Sequence, residues 1–295
     1  SFIEEQLRQT SPHGMRLIQG SHIIVPKLYE GEHAYILQNE DRRIVFITPY
    51  LGHFSLIGTT DHEYHGDPAQ VQITDAEIDY LLAIVNTHFK HQLSRTDIRY
   101  SYAGVRPLCD DESDQPSAIT RDYTLTLSDS ASEGPLLSVF GGKLTTYRKL
   151  AEAVLAQLAP LFPEMKQPWT HDAALPGGEH LEEPSALAHA LCASYPWLPG
   201  PVARRWARTY GSRSWLLLKG TDALQDLGEC FGAGLHAREV DYLMVEEWAQ
   251  TAEDILWRRT KLGLFMQPAE VALLQRYLDS RTAERLTHFD HVAQG

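Results

Sequence analysis

The run Leu136-Leu137-Ser138-Val139-Phe140-Gly141-Gly142-Lys143-Leu144-Thr145-Thr146-Tyr147-Arg148 joins an apolar segment, a glycine pair and a cation. The apolar segment predicts a buried strand and the glycines a tight turn. Leu144, Ala151, Val154, Leu155 and Leu158 then predict a helix that starts at once. A strand, a glycine turn and a helix start place free backbone N–H groups and a positive dipole end at one point. That point suits an anion, or a group that becomes anionic during a reaction, and Lys143 adds a full charge there. A phosphate-loop reading fails, because Val139 and Phe140 precede the glycines and Leu144, not Ser or Thr, follows the lysine. A simple strand-to-helix connection with an exposed lysine stays open as the plainer reading.

Two more segments bear on the choice. Tyr102-Ala103-Gly104-Val105-Arg106-Pro107-Leu108 sets one arginine among apolar residues at a proline-marked bend, and Ala118-Ile119-Thr120-Arg121-Asp122-Tyr123 sets another near a strand start. An arginine in apolar surroundings needs a partner, and its planar fork suits a carboxylate or phosphate. Arg106, Arg121 and Lys143 could converge on one small anion, or each arginine could pair with an acid in Asp110–Asp114. Metal motifs fail: His62-Glu63-Tyr64-His65 is one residue short of H-E-x-x-H, His88 and His91 lack a third ligand, and Asp110–Asp114 lacks the calcium-loop glycine and glutamate.

The chain has 295 residues, enough for roughly two domains, with a net charge of −13 and 43% hydrophobic residues. That charge counts against general nucleic-acid binding and against a broad basic membrane patch, although Arg204-Arg205 and Arg258-Arg259 are local basic pairs. Cys109, Cys192 and Cys230 lack C-x-x-C spacing and suit reduced thiols in a cytoplasmic protein. No apolar run reaches the ~20 residues of a membrane span.

The elements that must position these residues divide in two. Residues 1–19 read as a helix end and an entry loop. Strands are expected at Ser21–Val25, Ala34–Leu37, Ile44–Pro49, Ser55–Thr60, Ile98–Tyr102, Tyr123–Ser128 and Leu136–Phe140, forming an antiparallel sheet. Thr74–Leu93 reads as a helix with Thr74 as N-cap and Ile78, Leu81, Leu82, Val85 and Phe89 on one face. Pro168, Pro176, Gly177 and Gly178 mark a linker over 167–183. From 184 to 295 the pattern is helical, near 184–194, 199–208, 211–219, 222–227, 236–248, 251–258 and 268–288, and its tryptophans are expected to pack as core.

The ordered series Arg16–Ile23, Ile57-Gly58-Thr59-Thr60-Asp61, Gly104–Leu108, Ile119–Tyr123, Gly141–Arg148 and Leu256-Trp257-Arg258-Arg259-Thr260-Lys261 resembles the bacterial aerobic FAD-dependent glycerol-3-phosphate dehydrogenase family. The resemblance spans nearly the whole chain but for the family's opening G-x-G-x-x-G, which does not occur here. The chain therefore reads as the family's C-terminal part. The implied fold class is α+β: residues 1–166 a mostly antiparallel substrate (cap) region with part of an FAD-binding domain, then an all-α C-terminal domain over 184–295. By position, His22 and Lys143 resemble catalytic residues. Arg106 and Arg121 resemble substrate anchors, with Thr60 near them. Gly141, Gly142, Lys143, Leu144 and Thr145 resemble the loop that meets the flavin. No metal is implied. The implied reaction is oxidation of sn-glycerol 3-phosphate to dihydroxyacetone phosphate by hydride transfer to FAD, with electrons passed to quinone. The implied setting is the cytoplasmic face of the inner membrane, with a homodimer as a candidate assembly and no nucleic acid. The chain alone, without the main cofactor motif, is expected to be inactive. Two alternatives remain: a flavin enzyme acting on an amino acid or 2-hydroxy acid, and a non-catalytic interaction module in the helical region.

Overall fold

The computed structural model describes residues 13–41, 43–109, 122–130, 134–180 and 183–292. The chain forms two compact units, Ser1–Thr170 and His171–Gly295. In the first, a long strand β1 (Met15–Pro26) is the spine of a sheet with β2 (Tyr35–Gln38), β3 (Ile44–Tyr50), β4 (Phe54–Gly58), β5 (His62–Glu63) and β6 (Tyr100–Cys109). The order is β2-β3-β4-β1-β5, with β6 pairing β1, and every pairing is antiparallel.

Alternation along β1 sorts its side chains by face. Ile23 and Val25 are fully buried and join Leu37, Val45, Ile47 and Ile57 against Leu81, Leu82 and Val85 of helix α1 (Asp75–His88). Each such fully buried side chain stabilises by about 2 kcal/mol. Thr74 caps α1: its hydroxyl accepts from the Glu77 N–H at 3.2 Å, while the Glu77 carboxylate accepts from the Thr74 N–H at 2.9 Å. The helix ends at His88 rather than Leu93, where Asn86 turns back to bond both the N–H and the carbonyl of Leu93.

Three expectations about the strands change. Met15–Gln19 belong to β1, not to an entry loop; residues 1–12 lie outside the described residues. Pro107 marks no bend: β6 runs through it, opposite Leu17. Among the described strands β6 pairs only with β1, so the missing N–H falls on an edge. The expected buried strand Leu136–Phe140 lies in β8 (Gly134–Gly141), which pairs with β7 (Tyr123–Ser130) as a two-stranded ribbon. Phe140 is buried there, but Val139 is 46% exposed.

The second unit is built from α3 (Pro184–Ser194), α4 (Gly200–Tyr210), α5 (Ser214–Leu218), α6 (Ala237–Glu246) and α7 (Pro268–Val292), following α2 (Tyr147–Leu158) of the first. It also carries a small antiparallel ribbon of β9 (Cys230–Gly232) and β10 (Leu235–His236). The expected helix at 222–227 is a short tight turn, Leu224–Leu227, and that at 251–258 is a wide π-turn, Asp254–Arg259. Trp206 lies fully buried in the core, and Trp257 packs over Gly263, whose missing side chain makes the room. Trp248 departs from the expectation: it is 81% exposed. Within the expected linker, Gly177 is buried on the end of α4, where a Cβ would lie 2.4 Å from the Tyr210 carbonyl oxygen, and its own carbonyl accepts from Ser212.

Candidate functional site

The sheet face opposite α1 carries the chemistry. Register places Ile36, Phe46, Gly58, His22 and Tyr102 in one cross-strand row over five strands. Ile36 and Phe46 are exposed, so the row is an open apolar shelf with an imidazole in it. The His22 ring stacks on Tyr102, centroids 5.0 Å apart and 8° from parallel. Its other flank lies against Gly58, where a Cβ would come within 2.2 Å of the His22 Cδ2. Glycine is therefore required at 58 for the ring to lie flat on the sheet. His22 Nδ1 is buried and has no hydrogen-bond partner among the described residues. Burial first, and the Arg106 charge second, lower the His22 pKa to about 4, so the ring is neutral near pH 7.

Arg106 extends over Gly20, where a Cβ would collide with its Nη2 at 2.2 Å. That nitrogen donates to Asp61 Oδ1 at 2.7 Å and to the Thr60 carbonyl at 3.2 Å. Both bonds use Nη2; among the described residues none accepts from Nη1 or Nε, which remain as further donors. The partner expected from Asp110–Asp114 lies outside the described residues, and the acid that Arg106 meets is Asp61.

Thr59, Thr60 and Asp61 form an irregular step. His22 pairs with Gly58 and Gln19 with His62, so two residues of β1 face three of the returning chain. Such an extra residue re-aims side chains. Here the fully buried Thr60 hydroxyl donates to Glu77 Oε1 at 2.6 Å and accepts from the Ser21 N–H at 2.9 Å, while Asp61 reaches Arg106. The Thr60 side chain is therefore engaged in the sheet-to-helix anchor, and what it offers Arg106 is its carbonyl.

Glu77 is the hub of that anchor and only 3% exposed. It also accepts from Ser21 Oγ at 2.8 Å, Gln19 Nε2 at 2.9 Å and the Thr74 hydroxyl at 3.0 Å. Burial alone would raise its pKa, but these hydrogen bonds outweigh burial and hold it below the usual carboxylate range. The spacing Thr74-x-x-Glu77 was a readable capping signal, but the reach of Glu77 to β1 depends on packing.

The glycine turn sits on the neighbouring ribbon, whose β8 runs beside β6. Gly141 and Gly142 have φ of 71° and 101°, which side-chain-bearing residues rarely adopt. A short turn, Leu144–Thr146, then precedes α2, and no side chain caps it. Leu144 is 88% exposed, so it is not part of the helix stripe. Lys143 is half exposed, its Nζ 3.9 Å from Asp122. Arg121 lies outside the described residues. A recess of about 460 Å³ lined by Gln19, Arg43, His62, Glu63, Thr74 and Tyr80 includes neither His22 nor Arg106, so the shelf is not the wall of that recess.

Residues 2–148 match the family described as FAD dependent oxidoreductase, and residues 168–285 match the C-terminal domain of alpha-glycerophosphate oxidase. The chain is 64% identical to a glycerol-3-phosphate dehydrogenase of Pseudomonas aeruginosa over 96% of this chain and 56% of that protein. It is 51% identical to the aerobic glycerol-3-phosphate dehydrogenase of Escherichia coli, over 97% of this chain and 57% of that one. The crystal structure of the glycerol-3-phosphate dehydrogenase of Bacillus halodurans complexed with FAD superposes with a TM-score of 0.75 at 27% identity, covering 97% of this chain and 56% of that one. The chain thus spans a little over half the length of these relatives. The two family matches and these identities place the chain in the FAD-dependent oxidoreductase family.

Proposed function

We propose that the protein carrying this chain oxidises the C2 alcohol of sn-glycerol 3-phosphate to dihydroxyacetone phosphate. The observation that carries this reading is the pairing of a neutral imidazole and a partly tethered guanidinium on one open sheet face. Bound FAD supplies the hydride acceptor. The paired positive-φ glycines and the uncapped turn after them suit close approach of a planar group to backbone N–H donors, so Gly141, Gly142, Lys143, Leu144 and Thr145 would hold its ring.

In this reading the free donors of Arg106 take the phosphate, together with Arg121, and so fix C2 relative to His22. His22 accepts the hydroxyl proton at Nε2, since Nδ1 is buried. The phosphate also changes the base. Arg106 is one cause of the lowered His22 pKa, and a dianion on its guanidinium offsets that charge. Proton affinity at His22 therefore rises once a phosphorylated substrate is in place. Lys143 adds positive charge where the acceptor becomes anionic. Passage of electrons to quinone, docking on the cytoplasmic face of the inner membrane and a homodimer complete the proposal for the full-length protein.

The test is dye reduction by the full-length protein with glycerol 3-phosphate, glycerol, an amino acid and a 2-hydroxy acid. Turnover with the phosphorylated polyol alone is expected. Equal turnover with a 2-hydroxy acid would move the reading to that substrate class.

A further inference from the structure

The reading above leaves Asp61 without a part, yet the irregular step at Thr59–Asp61 is built around it. Its side chain is 13% exposed, and its Oδ1 meets the same Arg106 nitrogen that bonds the Thr60 carbonyl. Thr60 is in turn locked from the opposite face of the sheet by Glu77 and by the Ser21 N–H. The acceptors that tether Arg106 are thus anchored through the sheet to the first turn of α1. On the other side, Gly20 leaves the space the guanidinium needs.

We propose that Asp61 is a positioning residue: it fixes Arg106 by Nη2 alone and so turns the Nη1 and Nε donors toward an anionic substrate. The proposal rests on the reading of Arg106 as the phosphate anchor. An arginine side chain has several rotatable bonds, and without a tether it loses entropy when an anion orders it. The tether makes that loss during folding, so binding does not repeat it. A carboxylate beside an anion site also repels the anion, and two substitutions separate these effects. Asp61→Asn keeps an acceptor oxygen for Nη2 and removes the charge; Asp61→Ala removes both.

Both variants are made in the full-length protein and assayed with glycerol 3-phosphate, with thermal melting measured alongside. Asp61→Ala is expected to raise KM at least 10-fold with kcat within about 3-fold, and Asp61→Asn to stay within about 3-fold of wild type in both. A KM for Asp61→Ala within 2-fold of wild type, or below it, overturns the proposal. So does a fall in kcat at unchanged KM, which is the mark of lost folded protein and not of a misplaced guanidinium. A wild type inert toward glycerol 3-phosphate sinks the substrate reading instead. Inorganic phosphate is then titrated calorimetrically into wild type and both variants. Binding weakened 10-fold by Asp61→Ala and kept by Asp61→Asn sustains the tether; equal affinity in all three, or none in wild type, removes it.

Discussion

Arg106 in the sheet unit and Arg205 in the helical unit are both partly buried and both face a carboxylate, yet they are used differently. Arg205 engages both oxygens of the fully buried Glu239, by Nη1 and by Nη2 at 2.8 Å, and Nη2 also reaches the Gly234 carbonyl at 2.9 Å. The Tyr210 hydroxyl donates to the same carboxylate at 2.6 Å. Arg106 has one nitrogen held by Asp61 and the Thr60 carbonyl. The buried acid of the sheet unit, Glu77, is satisfied by hydroxyls and amides, and among the described residues it meets no cation. The helical unit consumes Arg205 in architecture, whereas the sheet unit saturates Glu77 with neutral donors and, among the described residues, leaves Nη1 and Nε of Arg106 without an acceptor.

The comparison breaks most visibly at Glu239. Replacing it by Ala strands Arg205 and the Tyr210 hydroxyl in the core, and a buried ion pair cut on one side costs about 3–5 kcal/mol. Thermal unfolding of the Glu239→Ala chain is expected to show a melting point lowered accordingly. A change under about 1 kcal/mol would mean that water or another acid already reaches Arg205.

Arg106→Gln should reverse the pattern. Its stability cost is about 1–2 kcal/mol, since it strips the Asp61 carboxylate of its cation while the Thr60 carbonyl keeps the Thr59 hydroxyl. Its effect on kcat/KM for glycerol 3-phosphate is expected to be about 100-fold, in line with losing one charged partner of a close pair. Steady-state kinetics with a melting curve separate the two. A large stability loss with intact kcat/KM would put Arg106 on the same footing as Arg205.

Neither arginine's partner could be read from the sequence, and the reason is physical. Helix α1 announces itself locally, by a Thr74 cap and an apolar stripe, because its own turn decides both. The strand alternation in β1, β3 and β4 is equally local. Asp61 meets Arg106 and Glu77 meets Ser21 only because register brings distant segments to one point, and register is fixed by the whole sheet. The sequence did mark His22, Thr60 and Arg106 as separate motifs; Asp61 sat beside Thr60 in one of them with nothing to say what it faced. Pro107 misled for a related reason. A proline signals a bend unless its strand lies at an edge, and edge position is a tertiary fact. Leu144 misled because two positive-φ glycines turn the chain before the helix begins.

The neutral saturation of Glu77 can be sharpened by an isosteric change. In Glu77→Gln the amide oxygen can take the Gln19 and Thr74 donors, while its NH2 faces the Ser21 and Thr60 hydroxyls, which can turn to accept. The expected cost is therefore about 1 kcal/mol, against about 3 kcal/mol for Glu77→Ala, which leaves several buried donors unpaired. Chemical denaturation of both variants measures the gap. If Gln proves as costly as Ala, the carboxylate charge matters to some cation after all, and the contrast with Glu239 weakens.

The smallest effect tests how far Arg106 acts on its neighbour. His22 stands at about 4, against 6.5 for a free imidazole, with burial the larger cause and Arg106 the smaller. The unfolded chain therefore takes up its proton first. The stability that His22 contributes is complete above pH 6.5 and is lost as pH falls from 6.5 toward 4. Arg106→Gln removes the smaller cause only, so less than half of the depression should be relieved. Nuclear magnetic resonance titration of histidine-labelled chain, with His22→Gln to identify the signal, reads this directly. A return to 6.5 in the arginine variant would make charge and not burial the main cause. Filling Arg106's free donors with phosphate would then switch the base on fully, where the present geometry allows only partial recovery.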